Sequence, residues 1–543
     1  MAEIAAVLVL VAAAAGPWWL AAAAPVGLVA VLIVFVRLRG RWVYEWLALG
    51  GAYATRQRVR DLHQLVVPLQ IDGTTAGVVE TTEGLTALID LDDTGELLGT
   101  GDPVAPPPVG LLAPTGADQP TVRLQLILAG QAAPAPRAAP GAPVTSYRQL
   151  ADGRVPAQVR VLFAVQVRRS GDFEEEDLHR TLRAAVRRIR RRLPGARILD
   201  PDAVPATLAE LAHGPFPVRE TWTAVEAGGL RQVTFAVKRW PDPRHELSGA
   251  LLGRLLALPS CATTVAFTVA QGATDGRHEA DLTVRLAATS DAALSVAAGA
   301  LDQLLQATGT AAQRLDGAHL AGLAATLPLA RATPRPVSLH AVAALQLPAG
   351  RAGLVLGSDR AGEPLTVRLF RPVPTRAVLA GGRPVAMLLA LRCLALGATV
   401  TVHTEEPQRW TPFTRAVGDA VALVPPAHPV GVAGTAPLRP HLAIADRVAM
   451  AVPTQPWQAS LTLTAASSPA DLSVLAQADL ALLHAVAPER AAAVGSALGL
   501  GATADWLSRV GPDMLAVVAQ RRTLRWAVIP MTPIEQQLVG PLV

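Results

Sequence analysis

The chain has 543 residues, 51% of them apolar and 17% charged, with a formal net charge of +5. That length predicts two or more folded units with a sizeable core. The small net charge argues against nucleic acid as the main partner, which selects for a concentrated basic face. Lys238 is the only lysine, so arginine carries nearly all the positive charge. Cys261 and Cys393 lie in the apolar stretches 259–269 and 385–396, and are expected to be buried thiols, with no disulfide framework.

Residues Ile4–Val36 hold 33 positions without a charge. One helical span needs roughly 20 apolar residues. The stretch is either one long tilted span or, as we favour, a hairpin of two short spans turning at Gly16-Pro17-Trp18-Trp19, since Gly-Pro marks a turn and Trp prefers the membrane–water boundary. Only Glu3 precedes the stretch, whereas Arg37, Arg39, Arg41, Arg56, Arg58 and Arg60 follow it. The positive-inside rule then puts the rest of the chain on the cytoplasmic side of the cell membrane. A signal peptide is excluded, because there is no basic n-region and the apolar stretch is too long. Residues 1–38 are thus the expected membrane segment and 39–62 a basic amphipathic juxtamembrane helix. Trp18, Trp19, Arg37, Arg39, Arg41, Trp42 and Trp46 are its expected anchoring residues in the lipid bilayer. Trp42, Trp46 and Leu49 share a helical face, which suits either the headgroup layer or a helix capping the domain below.

Residues 63–128 predict a strand-rich region, with strands at 65–71, 77–80, 85–91 and 121–128 separated by Asp/Gly/Thr turns. The Ala/Pro/Gly-rich segment 129–143 has no periodicity and predicts a linker, taken as 129–154. Residues 155–330 predict an α+β unit. Its expected elements are a strand at 158–167, a helix capped by Asp172 with Arg187–Arg192 in its last turn, and a hairpin of 220–225 with 232–239 about Gly228-Gly229. A helix at 246–257, strands at 263–269 and 280–287, and a helix at 292–305 follow. Residues 331–543 predict an α/β unit. After strands at 354–357 and 365–370 comes a Rossmann-like βαβ at 376–404: strand 376–380, turn Gly381-Gly382, Pro384 at the first helical position, helix 385–396 and strand 399–403. Strands at 448–452, 460–464, 480–484, 514–519 and 523–529 extend the sheet. No internal repeat of fixed period is found. The fold class is therefore mixed α/β behind one or two membrane helices.

The chemistry-bearing patterns are weak. Gly381-Gly382, a helix N-terminus and Glu405 beyond the second strand invite a nucleotide, but the dinucleotide fingerprint G-x-G-x-x-G is absent. A P-loop needs Gly-Lys-Ser/Thr, and Lys238 sits between Val237 and Arg239. His278-Glu279 lacks the second histidine of a helical zinc site. In Gly495-Ser496-Ala497-Leu498-Gly499 the serine stands second, where a nucleophile elbow needs it third. Asp90/Asp92 and Asp200/Asp202 have the D-x-D spacing that can chelate a metal with substrate phosphates, though solvated Asp at turns is ordinary. The run Arg187–Arg192 fits a solvated helix end or lipid headgroups. No catalytic, cofactor-binding or metal-binding residue is assigned.

Several segments taken in order carry a resemblance. They are Arg39-Gly40-Arg41-Trp42-Val43-Tyr44-Glu45-Trp46, Glu220-Thr221-Trp222, Phe235-Ala236-Val237-Lys238-Arg239-Trp240-Pro241, Ala325-Thr326-Leu327-Pro328-Leu329, Leu379-Ala380-Gly381-Gly382 and Leu391-Arg392-Cys393-Leu394-Ala395-Leu396-Gly397-Ala398. Together with the charge-free N-terminal stretch they make the chain similar to EccE, a membrane component of the actinobacterial type VII (ESX) secretion machinery. The resemblance implies two N-terminal transmembrane helices, a large cytoplasmic domain, and a place beside EccB-, EccC- and EccD-like subunits. It implies that the EccC ATPase supplies the energy, in agreement with the missing P-loop. It also implies a cytoplasmic domain like that of glycosyltransferases, without established activity. The expected function is a non-enzymatic structural subunit of the secretion complex. The alternative is a membrane-tethered α/β enzyme, either a glycosyltransferase using one of the D-x-D pairs or a nucleotide-binding protein.

Overall fold

A computed structural model describes residues 35–542 except 39–40, 62–63, 92–96, 100–104, 113–118, 152–154, 194, 216, 242–249, 272–277, 330–334, 338–344, 349, 427–433, 450–453 and 520–522. The expected membrane segment lies outside these residues up to position 34, and with it Trp18 and Trp19; Arg39 is outside too. Among the described residues, no helix is long and apolar enough to cross a membrane. The class is mixed α/β, and the described strands form a small hairpin, a fourteen-stranded sheet and a ten-stranded sheet.

The hairpin pairs β1 (Arg37–Leu38) with β2 (Arg41–Trp42) and leads into helix α1 (Val43–Thr55). Glu45 in the first turn accepts from the Trp42 N–H, and so satisfies one of the helix's orphan donors.

The first sheet takes β3 (Val59–Arg60), β4 (Leu65–Ile71), β5 (Thr74–Thr81), β6 (Gly84–Asp90), β7 (Val122–Gln131), β8 (Gln158–Arg168), β9 (Arg197–Ile198), β10 (Val218–Glu220), β11 (Val225–Ala227), β12 (Leu230–Arg239), β13 (Ala262–Gln271), β14 (His278–Ala288), β15 (Ala311–Arg314) and β16 (Arg335–Val337). Segments 63–128 and 155–330 therefore share one sheet rather than forming separate units. The order along it is β3-β10-β11-β12-β14-β13-β7-β8-β6-β5-β4. Its two faces are set by period-2 patterning. Leu124, Leu126 and Leu128 of β7 face a core shared with α2 (Pro108–Leu111), α4 (Glu175–Arg192), α6 (Leu251–Leu256) and α7 (Asp291–Ala307). Ile127 faces the opposite core, with α5 (Ala203–Leu211) and α8 (His319–Thr326). Helix α3 (Ala142–Ala151) belongs to neither.

The pattern is doubled. β5, β6, β7, β8, α4, β9 and α5 recur in the same order as β11, β12, β13, β14, α7, β15 and α8. The sheet reads β5-β6-β8-β7 and then β13-β14-β12-β11, mirrored about the antiparallel β7–β13 pair. In each half the short strand after the long helix, β9 or β15, pairs with β6 or β12. No fixed period betrays this in the sequence, because α3 and its flanks are inserted between β7 and β8.

Local details differ from expectation for identifiable reasons. Helix α4 begins after Glu174 rather than Asp172, because Phe173 packs against the core and the chain must turn there. Its buried stripe is Leu178, Leu182, Val186 and Ile189, and acidic and basic residues sit at its two ends as the dipole favours. Segment 220–225 is not one strand: Thr221 and Ala224 close a turn between β10 and β11, with the Thr221 N–H donating to the Ala224 carbonyl at 2.8 Å. The Gly228-Gly229 hairpin joins β11 to β12, with φ of 57° and 73°, the doubly positive turn that glycine permits.

The expected linker 129–154 is structured over its described residues, 129–151. Residues 129–131 end a central strand, and α3 packs on α9 (Arg383–Ala395) of the second sheet. The core around α9 takes in Leu97, Leu98, Ala133, Tyr147, Ala151, Val155 and Ala157 from the first unit. Tyr147 Oη accepts from the Val355 N–H at 3.0 Å and donates to the Gly353 carbonyl at 3.3 Å. Leu98 bridges Val367, and the Ala135 N–H donates to the Ala395 carbonyl at 2.8 Å.

The second sheet contains β17 (Leu354–Ser358), β18 (Pro364–Val367), β19 (Thr375–Ala380), β20 (Thr399–His403), β21 (Val421–Val424), β22 (His441–Asp446), β23 (Gln458–Thr464), β24 (Leu480–Leu483), β25 (Met514–Ala519) and β26 (Thr523–Val528), in the order β18-β17-β26-β25-β24-β19-β23-β22-β20-β21. The six strands β24, β19, β23, β22, β20 and β21 are mutually parallel, and β25, β26, β17 and β18 continue antiparallel. Of the strand expected at 448–452, residues 448–449 are not strand and 450–452 lie outside the described residues; the strand found here is β22, which ends at Asp446, where Arg447 turns with φ of 59°. β18 stops at Val367, short of Phe370. Helix α10 (Thr411–Val417) precedes β21, α11 (Pro469–Ala476) links β23 to β24, α12 (Pro488–Ala497) follows β24, and α13 (Pro533–Val539) ends the described chain. Cys261 and Cys393 are both buried free thiols.

Candidate functional site

The parallel strands of the second sheet end along one edge, and their connections leave it in two directions. From β19 the chain passes through α9 to β20, on one side. From β23 it passes through α11 to β24, back on the other side of β19. Leu379 of β19 packs in the core with α9, while its neighbours Val378 and Ala380 pack in the core with α11 and α12. Helices thus cover opposite faces, and a crevice opens where the direction reverses, the usual ligand position in such sheets.

That crevice has a volume of ≈ 350 Å³. Its floor is small: Gly381, Gly382, Ala465, Ala466 and Ala485. The approach at Gly381 is tight, since a Cβ there would sit 3.1 Å from His484 Cβ. Arg447 and Arg490 are the charged residues among the described lining, and both are exposed. The Arg490 guanidinium donates to the Ala465 carbonyl at 2.9 Å. His484 is buried and pairs through Nε2 with the Pro512 carbonyl at 2.9 Å, so that nitrogen carries the proton. Arg447, Ala466 and Ala485 all adopt positive φ, at 59°, 50° and 50°, half of the six such non-glycine residues described. Each such residue costs on the order of 1 kcal/mol, a strain that concentrates at functional sites.

Beside the crevice, Asp446 ends β22 and is 3% exposed. Three donors meet on its Oδ2: Arg383 Nε at 2.8 Å, Thr404 Oγ1 at 3.0 Å and Trp410 Nε1 at 2.9 Å. Arg383 also pairs with Glu406. Burial opposes the Arg383 charge, but the bonds to Asp446 and then Glu406 outweigh it and raise the guanidinium pKa. Oδ2 is thus fully engaged, while the buried Oδ1 of Asp446 has no hydrogen-bond partner among the described residues.

The residues singled out in the sequence are distributed otherwise. Glu405 is exposed and lies two residues beyond β20, which stands three strand spacings from β19 in the order β19-β23-β22-β20. That is about 14 Å, so Glu405 and Gly381-Gly382 do not form the ribose-and-pyrophosphate pair of a dinucleotide site, which needs adjacent strands. Asp90 is 1% exposed and ion-paired with Arg160 at 2.9 Å, and Arg160 in turn lies 3.3 Å from Glu210. Asp92 lies outside the described residues. Asp200 accepts from the Ala203 N–H at 2.8 Å at the start of α5, and Asp202 is exposed there. Among the described residues, no group of three or more acidic, His or Cys side chains could hold a metal. Of the run Arg187–Arg192, Arg187 and Arg190 reach Asp72 at 3.8 and 3.5 Å. His278-Glu279 lies on β14, and Ser496 is exposed on α12.

The anchoring candidates meet the first unit. Trp46 lies 6.1 Å from the Trp222 ring and Tyr53 meets it edge-on at 5.1 Å. Arg41 donates to the Asp316 carbonyl at 3.4 Å, and Arg56 pairs with buried Glu220 at 2.8 Å. Arg37 lies over the Trp42 ring at 4.4 Å. Trp46 is therefore half-buried on the domain. Trp222, quoted in the resemblance but given no role, is the residue that receives α1.

Residues 157–237, from the start of β8 to near the end of β12, match the family model described as "Putative type VII ESX secretion system translocon, EccE". The chain carries an EccE-family segment. That segment supplies Trp222, Glu220 and the Arg160–Asp90 partner, and so includes much of what receives α1. The match supports a component of a type VII secretion system. A search of curated proteins finds no match.

Proposed function

We propose that the chain is a non-enzymatic structural subunit of a type VII secretion membrane complex. The N-terminal apolar segment holds it in the membrane, and its two sheet units steady EccB-, EccC- and EccD-like subunits on the cytoplasmic side. The EccE match over residues 157–237 carries this reading. Two features support it. The acidic groups best placed for chemistry are committed to structure, Asp90 to Arg160 and Asp446 to Arg383. The juxtamembrane helix α1 is bolted to the EccE segment through Trp222 and Glu220, so a pull on the N-terminal segment is passed to the folded body.

The test is export in the native host. Deleting the gene is expected to stop type VII export into the medium, and the wild-type chain to restore it. The double variant Asp200→Asn/Asp202→Asn is expected to restore it equally, since both residues are exposed at a helix start. Loss of export with this variant at normal protein level would return the reading to a metal-dependent enzyme.

A further inference from the structure

We propose that the crevice at the carboxyl edge of β19, β23 and β24 binds a soluble phosphate-bearing small molecule, its phosphate held by Arg447 and Arg490, with no divalent cation. The crevice lies outside the carboxyl ends of parallel strands, where the chain reverses direction across β19, which is where open α/β sheets receive ligands. Its ≈ 350 Å³ lies within the range of small-molecule sites. Its described lining contains two arginines and no carboxylate, so the crevice selects an anion. Guanidinium groups bind phosphate through paired donors, with more geometric specificity than an ammonium.

The neighbouring chain explains why no metal is needed. In P-loop hydrolases an aspartate holds Mg²⁺ against the phosphates. Here Asp446, one residue before Arg447, stands apart from the lining, and its Oδ2 receives Arg383, Thr404 and Trp410. The positive φ at 447 marks where the chain leaves β22: Asp446 is held by Arg383 through Oδ2, and the next residue lines the crevice. The two arginines supply the countercharge that a cation supplies elsewhere.

Isothermal titration of the full-length chain tests this with three probes in EDTA: ADP, inorganic pyrophosphate and adenosine. ADP and pyrophosphate are expected to bind, adenosine is expected to give no heat, and excess Mg²⁺ is expected to change the ADP Kd less than about threefold. Arg447→Asn with Arg490→Gln is expected to weaken ADP at least tenfold, and Arg447→Asn alone at least threefold, with the melting temperature unchanged. Asparagine suits the left-handed backbone at 447, and the single variant leaves the Arg490–Ala465 bond in place. The proposal is overturned if none of the probes binds, if adenosine binds as well as ADP, if binding requires Mg²⁺, or if the double variant keeps its affinity.

Discussion

Arg392 shows how one residue ties distant sequence together. It is 1% exposed in α9 and spends all five donors: Nε and Nη2 on Glu535 at 2.8 and 3.0 Å, Nη2 also on the Pro530 carbonyl, and Nη1 on the Val355 and Leu356 carbonyls. Glu535 is buried too and caps α13. Removing one member strands the other charge, so Arg392→Ala is expected to cost about 3–5 kcal/mol, read as a fall in the urea midpoint. Arg392→Lys should recover little, because an ammonium cannot serve this fork. A wild-type midpoint in either variant would contradict the assignment. The sequence showed only a basic residue in an apolar helix; its partner lies far along the chain.

Half-buried His213 and buried His441 give the molecule a pH dependence. Burial, and then the charge of Arg285, lowers the His213 pKa to about 3; burial, and then His403, lowers that of His441 to about 4. In the unfolded chain both protonate near pH 6.5, whereas the native forms stay neutral. Protons therefore favour unfolding, and stability present above about pH 6.5 is lost as pH falls toward the folded values. Each histidine adds a slope approaching about 1.4 kcal/mol per pH unit. His213→Asn, which suits the φ of 62° at that position, should flatten the fall in unfolding free energy between pH 6.5 and 5. An unchanged slope would exclude His213 as a source.

At the scale of elements, α1 and α3 are the two that fasten separate parts. Gly317, with φ of 71°, lets the chain pass the Trp222 ring, which a Cβ would meet at 2.7 Å. Trp222 in turn receives Trp46 and Tyr53. Trp222→Ala is expected to release α1 and raise tryptic cleavage after Arg56 and Arg58 about tenfold, an effect of the size that loss of two aromatic pairs implies. Unchanged cleavage would mean that other contacts hold the helix. Tyr147→Phe leaves the Val355 N–H buried without its partner, and is expected to cost about 1–3 kcal/mol in thermal or urea unfolding.

Elements with a strong period were legible. β4, β20 and β25 lie where alternation or apolar runs put them, and α4 shows its stripe and its charged ends. β21 and β22 were not legible. Parallel strands buried on both faces read as unbroken apolar runs, so 441–446 and 448–452 look alike, and only the turn at Arg447 distinguishes them. The crevice was half legible: Gly381-Gly382 read as a turn before a helix, but Arg447 and Arg490 reach it only through the strand order, which no local pattern encodes.

At the scale of the whole molecule, the doubled pattern of the first unit makes one continuous sheet with a helix layer on each face. Leu97 and Leu98, and Ala133, Tyr147, Ala151, Val155 and Ala157, complete the core around α9. The two units are thus interlocked at two places, which suits a part that bears load rather than one that opens and closes. The family resemblance rested on scattered segments, and its firmest stretch, residues 157–237, is the one that builds β8 to β12 and the Trp222 seat. Placement of this body inside a type VII complex is what we propose. The most direct measurement is purification of the tagged full-length chain from its native host in mild detergent, after in-cell cross-linking, with the recovered proteins identified by mass spectrometry. An EccC-like ATPase is expected to be recovered together with EccB- and EccD-like membrane proteins. Recovery of the chain alone, cross-linked only to itself or to nothing, would contradict it.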